Sequence, residues 1–281
     1  MRREAAKRKL ERQQARRIQK AKRRQQIAII TAVAVVLVVV AGFVLLNTMW
    51  RSGAPADASG APTPVPTQTP PTSAASATPL ALGSCAFVAS PNEPAAKPAP
   101  VPTATSAPTN GTVAVALATN NGSIPLTLDR AKAPCTVESF LSLDKAGYYD
   151  NTPCHRLTTG EGLKVLQCGD PTGTGSGGPG YTINDEPPTG LAPAPSGGGT
   201  VIYPRGTVAM AKTYAPNSGG SQFFLVYADS TLPPDYTVFG TMGKDGLTVV
   251  DKIAQGGSDD SMGPGDGKPK TPVTITSAKA S

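Results

Sequence analysis

Residues 52–110 hold thirteen prolines and one aromatic side chain, Phe87, and no other stretch limits the chain's folding as strongly. Each proline locks φ and removes a backbone donor, so neither a helix nor a sheet ladder runs on through such a segment. The Ala, Ser and Thr between them bury too little apolar surface to offset the entropy lost on ordering. The spacer, residues 49–111, is therefore expected to be disordered and extended, in polyproline-like fashion. One piece departs from this pattern. LALGSCAFVAS, residues 80–90, is apolar around Cys85 and Phe87 and is predicted to dock onto the folded part.

Before the spacer, Ile27 to Leu46 reads IAIITAVAVVLVVVAGFVLL, without a charge. A helix of that length spans about 30 Å, the thickness of a bilayer's hydrocarbon core. Residues 1–26 carry twelve Lys or Arg against Glu4 and Glu11, whereas only Arg51 follows closely on the other side. The positive-inside rule then predicts a basic cytoplasmic tail (1–26) and a transmembrane helix (27–48) held in the bilayer. The rest of the chain would lie outside, in a single-pass cell-membrane protein. A cleaved signal peptide is the rival reading, but its apolar region runs only about 7–15 residues before a small-residue cleavage site. From Ser52 onward 13 basic residues face 17 acidic ones, so the folded part has no electrostatic footing for nucleic acid.

Four cysteines, Cys85, Cys135, Cys154 and Cys168, all lie beyond the apolar run. An even count in an oxidising compartment predicts two disulfides, with all three pairings open. A bridge from Cys85 into the domain would explain why the spacer's composition breaks there. There is no C-x-x-C pair, and His155 is the only histidine, so no metal site is expected. Gly173–Gly178 formally matches G-x-G-x-x-G, but no helix signal follows, so it reads as a tight loop. The loop GSDDSMGPGDGK (257–268) has neither the spacing nor the closing glutamate of a calcium loop.

Residues 112–281 form the folded domain. TVAVALAT and SIPLTLD alternate around Asn120-Asn121-Gly122, which predicts a hairpin on a tight Asn-Gly turn, with Pro125 tolerable at an edge or bulge. PCTVESFLSLDKAG predicts a helix with Val137, Phe140, Leu141 and Leu143 inward, and DGLTVVDKIAQ a second with Leu247, Val250 and Ile253 inward. Short strands are expected at CHRL, KVLQCG, TVAMAK, SQFFLVYA, YTVFGTM and PVTITSA. The fold class is mainly β: a closed antiparallel β-barrel capped by two helices.

Within this domain, motifs fall in a characteristic order: Cys154-His155-Arg156, then Val165-Leu166-Gln167-Cys168-Gly169-Asp170, then GTGSGGPGY (173–181). Gly206–Ala211, Asn217–Phe224 and Thr237–Gly240 follow. On these the sequence resembles the cyclophilin-type peptidyl-prolyl isomerases over roughly residues 112–280. The anchor-plus-spacer layout is similar to membrane-bound members from high-GC Gram-positive bacteria. The resemblance implies isomerisation of X-Pro bonds in exported polypeptides, without cofactor or metal, by a monomer. It implies Arg156, Gln167 and Phe224 as the catalytic group, with Val165, Leu232 and Tyr236 walling a proline slot. Ala211, Lys212 and Gln222 would contact the substrate nearby. The chain departs from the family pattern in five ways. The loop after Arg156 is longer, Lys164 stands for a phenylalanine and Lys212 for an asparagine, and a tryptophan is missing before Leu232. Tyr236 replaces a histidine. Catalytically weak proline-peptide binding by the same fold is the alternative.

Strand alternation sends His155 and Arg156 to opposite faces, so His155 is expected inside as a hydrogen-bonded core residue rather than a base. Phe223 and Phe224 are divided likewise, one to the core and one to the groove.

Overall fold

The computed structural model describes residues 80–281. The basic tail, the apolar run 27–48 and the spacer up to residue 79 lie outside the described residues. Among those described, no helix is long and apolar enough to cross a membrane.

The hairpin forms where alternation demands it. β2 (Thr112–Thr119) and β3 (Gly122–Asp129) pair in full, burying Val115 and Leu117 from one strand and Ile124, Leu126 and Leu128 from the other. Its turn differs from the expected Asn-Gly pair. Thr119 pairs with Gly122, so the central residues are Asn120 and Asn121, and Gly122 alone takes positive φ (124°). That conformation is open to glycine at little cost. Asn120 is instead used for its amide, donating to the Pro272 carbonyl and accepting from Thr274 N–H. Pro125 lies in an inner strand, not at an edge. Its carbonyl accepts from Gly243 N–H just beyond the last paired residues of the neighbouring strand, where that ladder has already ended.

Helix α1 (Pro134–Lys145) starts on proline at its first turn and buries Val137, Phe140 and Leu143. No local side chain caps it. Glu186, from a distant loop, accepts from Cys135 N–H, Thr136 N–H and the Thr136 hydroxyl at 2.7–2.9 Å. A carboxylate there satisfies orphan amides and meets the positive end of the helix dipole.

The remaining strands are short: β4 (Thr152–Pro153), β5 (Arg156–Thr158), β6 (Val165–Cys168), β7 (Tyr181–Ile183), β8 (Val201–Tyr203), β9 (Thr207–Met210) and β10 (Phe223–Val226). β11 (Ser230–Leu232), β12 (Val238–Met242), helix α2 (Lys244–Gln255), β13 (Asp266–Gly267) and β14 (Thr274–Ala280) follow. Ten strands join in the order β13-β5-β6-β10-β9-β12-β3-β2-β14-β4. The closed barrel expected from the sequence is instead a curled half-barrel, since β13 and β4 remain as edges. Each edge strand is two residues long and β4 ends on Pro153, which has no N–H to offer a partner. On the concave side Leu157, Leu166, Leu225 and Val208 stand in register across four strands and are fully buried. Helix α2 packs on β3, with Gly246 against Ile124 and Val249 over Gly122, and it buries Val250 and Ile253, with Leu247 partly buried.

Residues 80–111, read from composition as disordered spacer, are a strap laid on the domain. β1 (Phe87–Ala89) pairs antiparallel with β7, and Ser90 and Ala96 N–H donate to the Gly180 and Gly178 carbonyls. Lys97 donates to the Tyr148 carbonyl and the Thr152 hydroxyl, and burial pulls its pKa down. Proline content argued against a helix or a long ladder, and neither forms; a three-residue strand and scattered bonds suffice. The predicted docking of residues 80–90 is met by the Cys85–Cys135 disulfide, and the second bridge is Cys154–Cys168.

Closing a loop of 50 residues removes much of the unfolded chain's freedom. The double substitution Cys85→Ser, Cys135→Ser should therefore cost about 3–4 kcal/mol in urea unfolding. It should also make residues 90–111 the first site of proteolytic nicking. A loss under about 1 kcal/mol with the strap still protected would show that β1 pairing alone holds it.

Candidate active site

Across the middle of the sheet, Arg156 pairs with Gln167, Gln167 with Phe224, Phe224 with Ala209, and Ala209 with Val238. Residues directly opposite one another project from the same face. With strands about 4.8 Å apart, Arg156 and Phe224 stand about 10 Å apart with Gln167 between them. This row faces away from the Leu157–Leu166–Leu225–Val208 row of the core. Phe223 takes the inner side, edge-on to the rings of Phe140 and Tyr149 at 5.6 and 5.7 Å.

Phe224 belongs to a second apolar cluster with Val165, Tyr203, Ala209, Val226 and Val238. Ala211, Leu232 and Tyr236 pack against it. The Tyr236 ring meets Phe224 edge-on at 5.6 Å. Tyr203, absent from the sequence-level site, fixes this corner. Its single hydroxyl hydrogen is shared between the carbonyls of Pro233 and Tyr236, and its oxygen accepts from Tyr236 N–H. Burial pushes that phenol's pKa up to about 12, so the donor stays protonated.

A polar chain runs beside this notch. Arg156 Nη1 donates to Gln167 Oε1 at 3.4 Å, and Gln167 Nε2 to Gln222 Oε1 at 2.9 Å. Gln222 Nε2 in turn reaches the Gly175 and Gly177 carbonyls. Gln222, expected to contact substrate, thus has its amide committed to the glycine loop. Arg156 also makes a side-on bidentate pair with Asp266, Nε to Oδ1 and Nη2 to Oδ2, both at 2.7 Å. These bonds outweigh partial burial and keep the guanidinium more firmly protonated than usual. Asp266 was invisible in the sequence because 110 residues separate the partners.

Next to Gln167 a cavity of about 380 Å³ opens, lined by Gln167, Ala211, Lys212 and Gln222 and, from the strap, Ser90 and Glu93. The Lys212 ammonium does not point freely into it, for it pairs with Asp185 at 2.5 Å. Lys164 reaches back to the Thr159 carbonyl at 3.5 Å. Both lysines that depart from the family pattern are therefore turned onto the protein.

His155 lies beside Gly175, and its Nδ1 is buried without a partner, so the expected hydrogen-bonded core histidine is not hydrogen-bonded at that atom. Burial pushes its pKa down, only partly opposed by the Asp170 carboxylate. Asp170 itself is buried, which would raise its pKa. Bonds from the Thr172 hydroxyl and the amides of Thr172 and Gly175 outweigh this and hold it below the ordinary value. The GTGSGG stretch is accordingly a loop wound round a carboxylate, as its lack of a helix signal indicated.

This chain belongs to the cyclophilin family: residues 114–280 match the sequence profile described as "Cyclophilin type peptidyl-prolyl cis-trans isomerase/CLD". Among its relatives is the "Probable peptidyl-prolyl cis-trans isomerase B" of Mycobacterium leprae, 54% identical over 188 residues, which cover 66% of this chain and 63% of that one. The protein of the same description from Mycobacterium tuberculosis is 52% identical over 196 residues, covering 69% of this chain and 62% of that one. The chain thus spans less than two thirds of the length of both. A "Peptidyl-prolyl cis-trans isomerase" of Helicobacter pylori is 41% identical over 140 residues, 49% of this chain and 78% of that protein.

As the only histidine, His155 gives a single pair of imidazole C–H signals in proton NMR. Its titration midpoint should fall below 6.5, the value of a free side chain. The neutral ring is favoured in the fold, so its contribution to stability is present above pH 6.5 and is lost as pH falls through the folded pKa. A midpoint at or above 6.5 would contradict the buried position.

Proposed function

We propose that the domain is a peptidyl-prolyl cis-trans isomerase in which Arg156 donates to the proline nitrogen of the twisted imide. The observation that carries this is the register that sets Arg156, Gln167 and Phe224 in one row on one face. The barrier to rotation is about 20 kcal/mol because amide resonance is lost on twisting. No covalent bond needs to be made or broken, so the site requires neither nucleophile nor cofactor. It must bind the twisted amide better than the planar one.

In this reading the proline ring lies on Phe224 between Val165, Leu232 and Tyr236, and the Gln167 amide holds the substrate backbone. Ala211 and the cavity beyond it take the residues before proline. As the bond twists, the proline nitrogen pyramidalises and gains a lone pair that a planar amide lacks. The guanidinium donates to that lone pair, an interaction made only near the transition state. One preorganised donor is worth about 3–4 kcal/mol. An acceleration of 10⁵ needs about 7 kcal/mol. Desolvation in the apolar notch and backbone binding would supply the rest. The commitment of Lys212 to Asp185 and of Lys164 to Thr159 supports a notch free of charge.

The clients proposed are exported polypeptides, met outside a membrane that residues 27–48 anchor. The uncharged run, the charge asymmetry around it and two disulfides support that placement. If it holds, alkaline carbonate washing should leave the full chain in the membrane fraction. External protease should remove the domain from intact protoplasts; release by carbonate would count against the anchor.

The catalytic reading is tested by NMR exchange on an Ala-Pro peptide. Arg156→Ala should lower kcat by about 10²–10³-fold while peptide affinity changes only severalfold. Equal, slow exchange for wild type and variant would leave a proline-binding module of the same fold.

A further inference from the structure

The acidic loop that the sequence left without chemistry includes Asp266, and its three carboxylates divide their work. Asp259 accepts from the amides of Ser261 and Lys268, and Asp260 from the Ser258 hydroxyl and the Gly265 amide. Those two acids fold the loop. Asp266 is spent on none of it: both its oxygens go to Arg156. Its backbone is pinned as well, since Asp266 pairs with Thr158 and Gly267 with Leu157 in the β13–β5 ladder.

The sheet order places these groups in line. β13 lies on one side of β5, and β6 and β10 lie on the other. The guanidinium is therefore held from behind by Asp266, on the side opposite Gln167 and Phe224. The side-on pair occupies Nε and Nη2, leaving Nη1 facing Gln167 with a long bond of 3.4 Å. Nη1 carries two hydrogens, and the Gln167 contact uses one.

We propose that Asp266 is the positioning residue of this site, fixing the guanidinium so that Nη1 is the atom that donates to the twisted imide. This rests on the isomerase reading above. Without Asp266, a long flexible side chain would have to be ordered during each turnover, and two competing donors would be free to turn towards planar carbonyls. The carboxylate touches neither substrate nor reacting atoms. Its effect should therefore fall on kcat and not on ground-state affinity.

The test is NMR exchange at several Ala-Pro peptide concentrations with wild type, Asp266→Ala, Asp266→Asn, Arg156→Ala and the double variant, alongside each protein's thermal midpoint. Asp266→Ala is expected to lower kcat by about 10-fold or more with KM within about 2-fold, loss of a preorganised donor being worth at most about 10²–10³. Asp266→Asn, which keeps one acceptor, should fall between it and wild type. In the Arg156→Ala background the same change should have no further effect. Should wild type itself be inactive, the isomerase reading fails. An active wild type that loses activity on Arg156→Ala, with Asp266→Ala at full or raised kcat, would overturn this inference alone. So would an equal loss in the Arg156→Ala background, or a loss of kcat that only follows a fallen thermal midpoint.

Discussion

The antiparallel ladder through β5, β6 and β10 is the constraint on which the site depends. Backbone hydrogen bonds set which residues stand opposite, and a slip of one residue would send every side chain to the other face. With Arg156 opposite Gln167 and Gln167 opposite Phe224, a cation, an amide and a ring share one surface. The same register assembles the leucine row on the inner face. Core and site are thus two sides of one set of bonds, and the burial that stabilises one orders the other.

The ends of this ladder are held by other means. The Cys154–Cys168 bridge ties the chain just before Arg156 to the residue just after Gln167. Beyond β5 the two-residue strand β13 adds almost no ladder of its own, and the loop acids Asp259 and Asp260 hold it in place. Further away, the Cys85–Cys135 bridge and β1–β7 pairing bring the strap to the glycine loop that Gln222 supports. The strap thereby lends Ser90 and Glu93 to the cavity wall.

Much of the fold was legible because it rests on local periodicity. The β2–β3 alternation, the apolar stripes of both helices and the split of Phe223 from Phe224 follow from side-chain geometry within a few residues. What stayed hidden depends on distant partners. Nothing near Pro134 announces that Glu186 caps α1, and nothing in GSDDSMGPGDGK marks Asp266 from its neighbours. The turn was misread for a subtler reason. Asn-Gly signals the positive-φ pair of a tight hairpin, but side-chain bonds from Asn120 to the Pro272–Thr274 segment moved the turn back by one residue.

The motifs' resemblance to the family singled out Arg156, Gln167 and Phe224. Composition, charge and apolar patterning by themselves determined that a β-rich unit follows a proline-rich stretch and that four cysteines make two bridges. These follow from chain entropy, hydrophobic period and residue chemistry, all readable along the chain. Only the tertiary structure decided that the sheet stays open and that residues 91–111 are ordered on the domain along with the docked segment before them. It also decided that Lys164 and Lys212 turn aside and that Arg156 leans on a carboxylate from the far end of the chain. Those outcomes depend on which surfaces meet when the sheet curls, and contact energies between residues far apart in sequence have no signature in either one's neighbours.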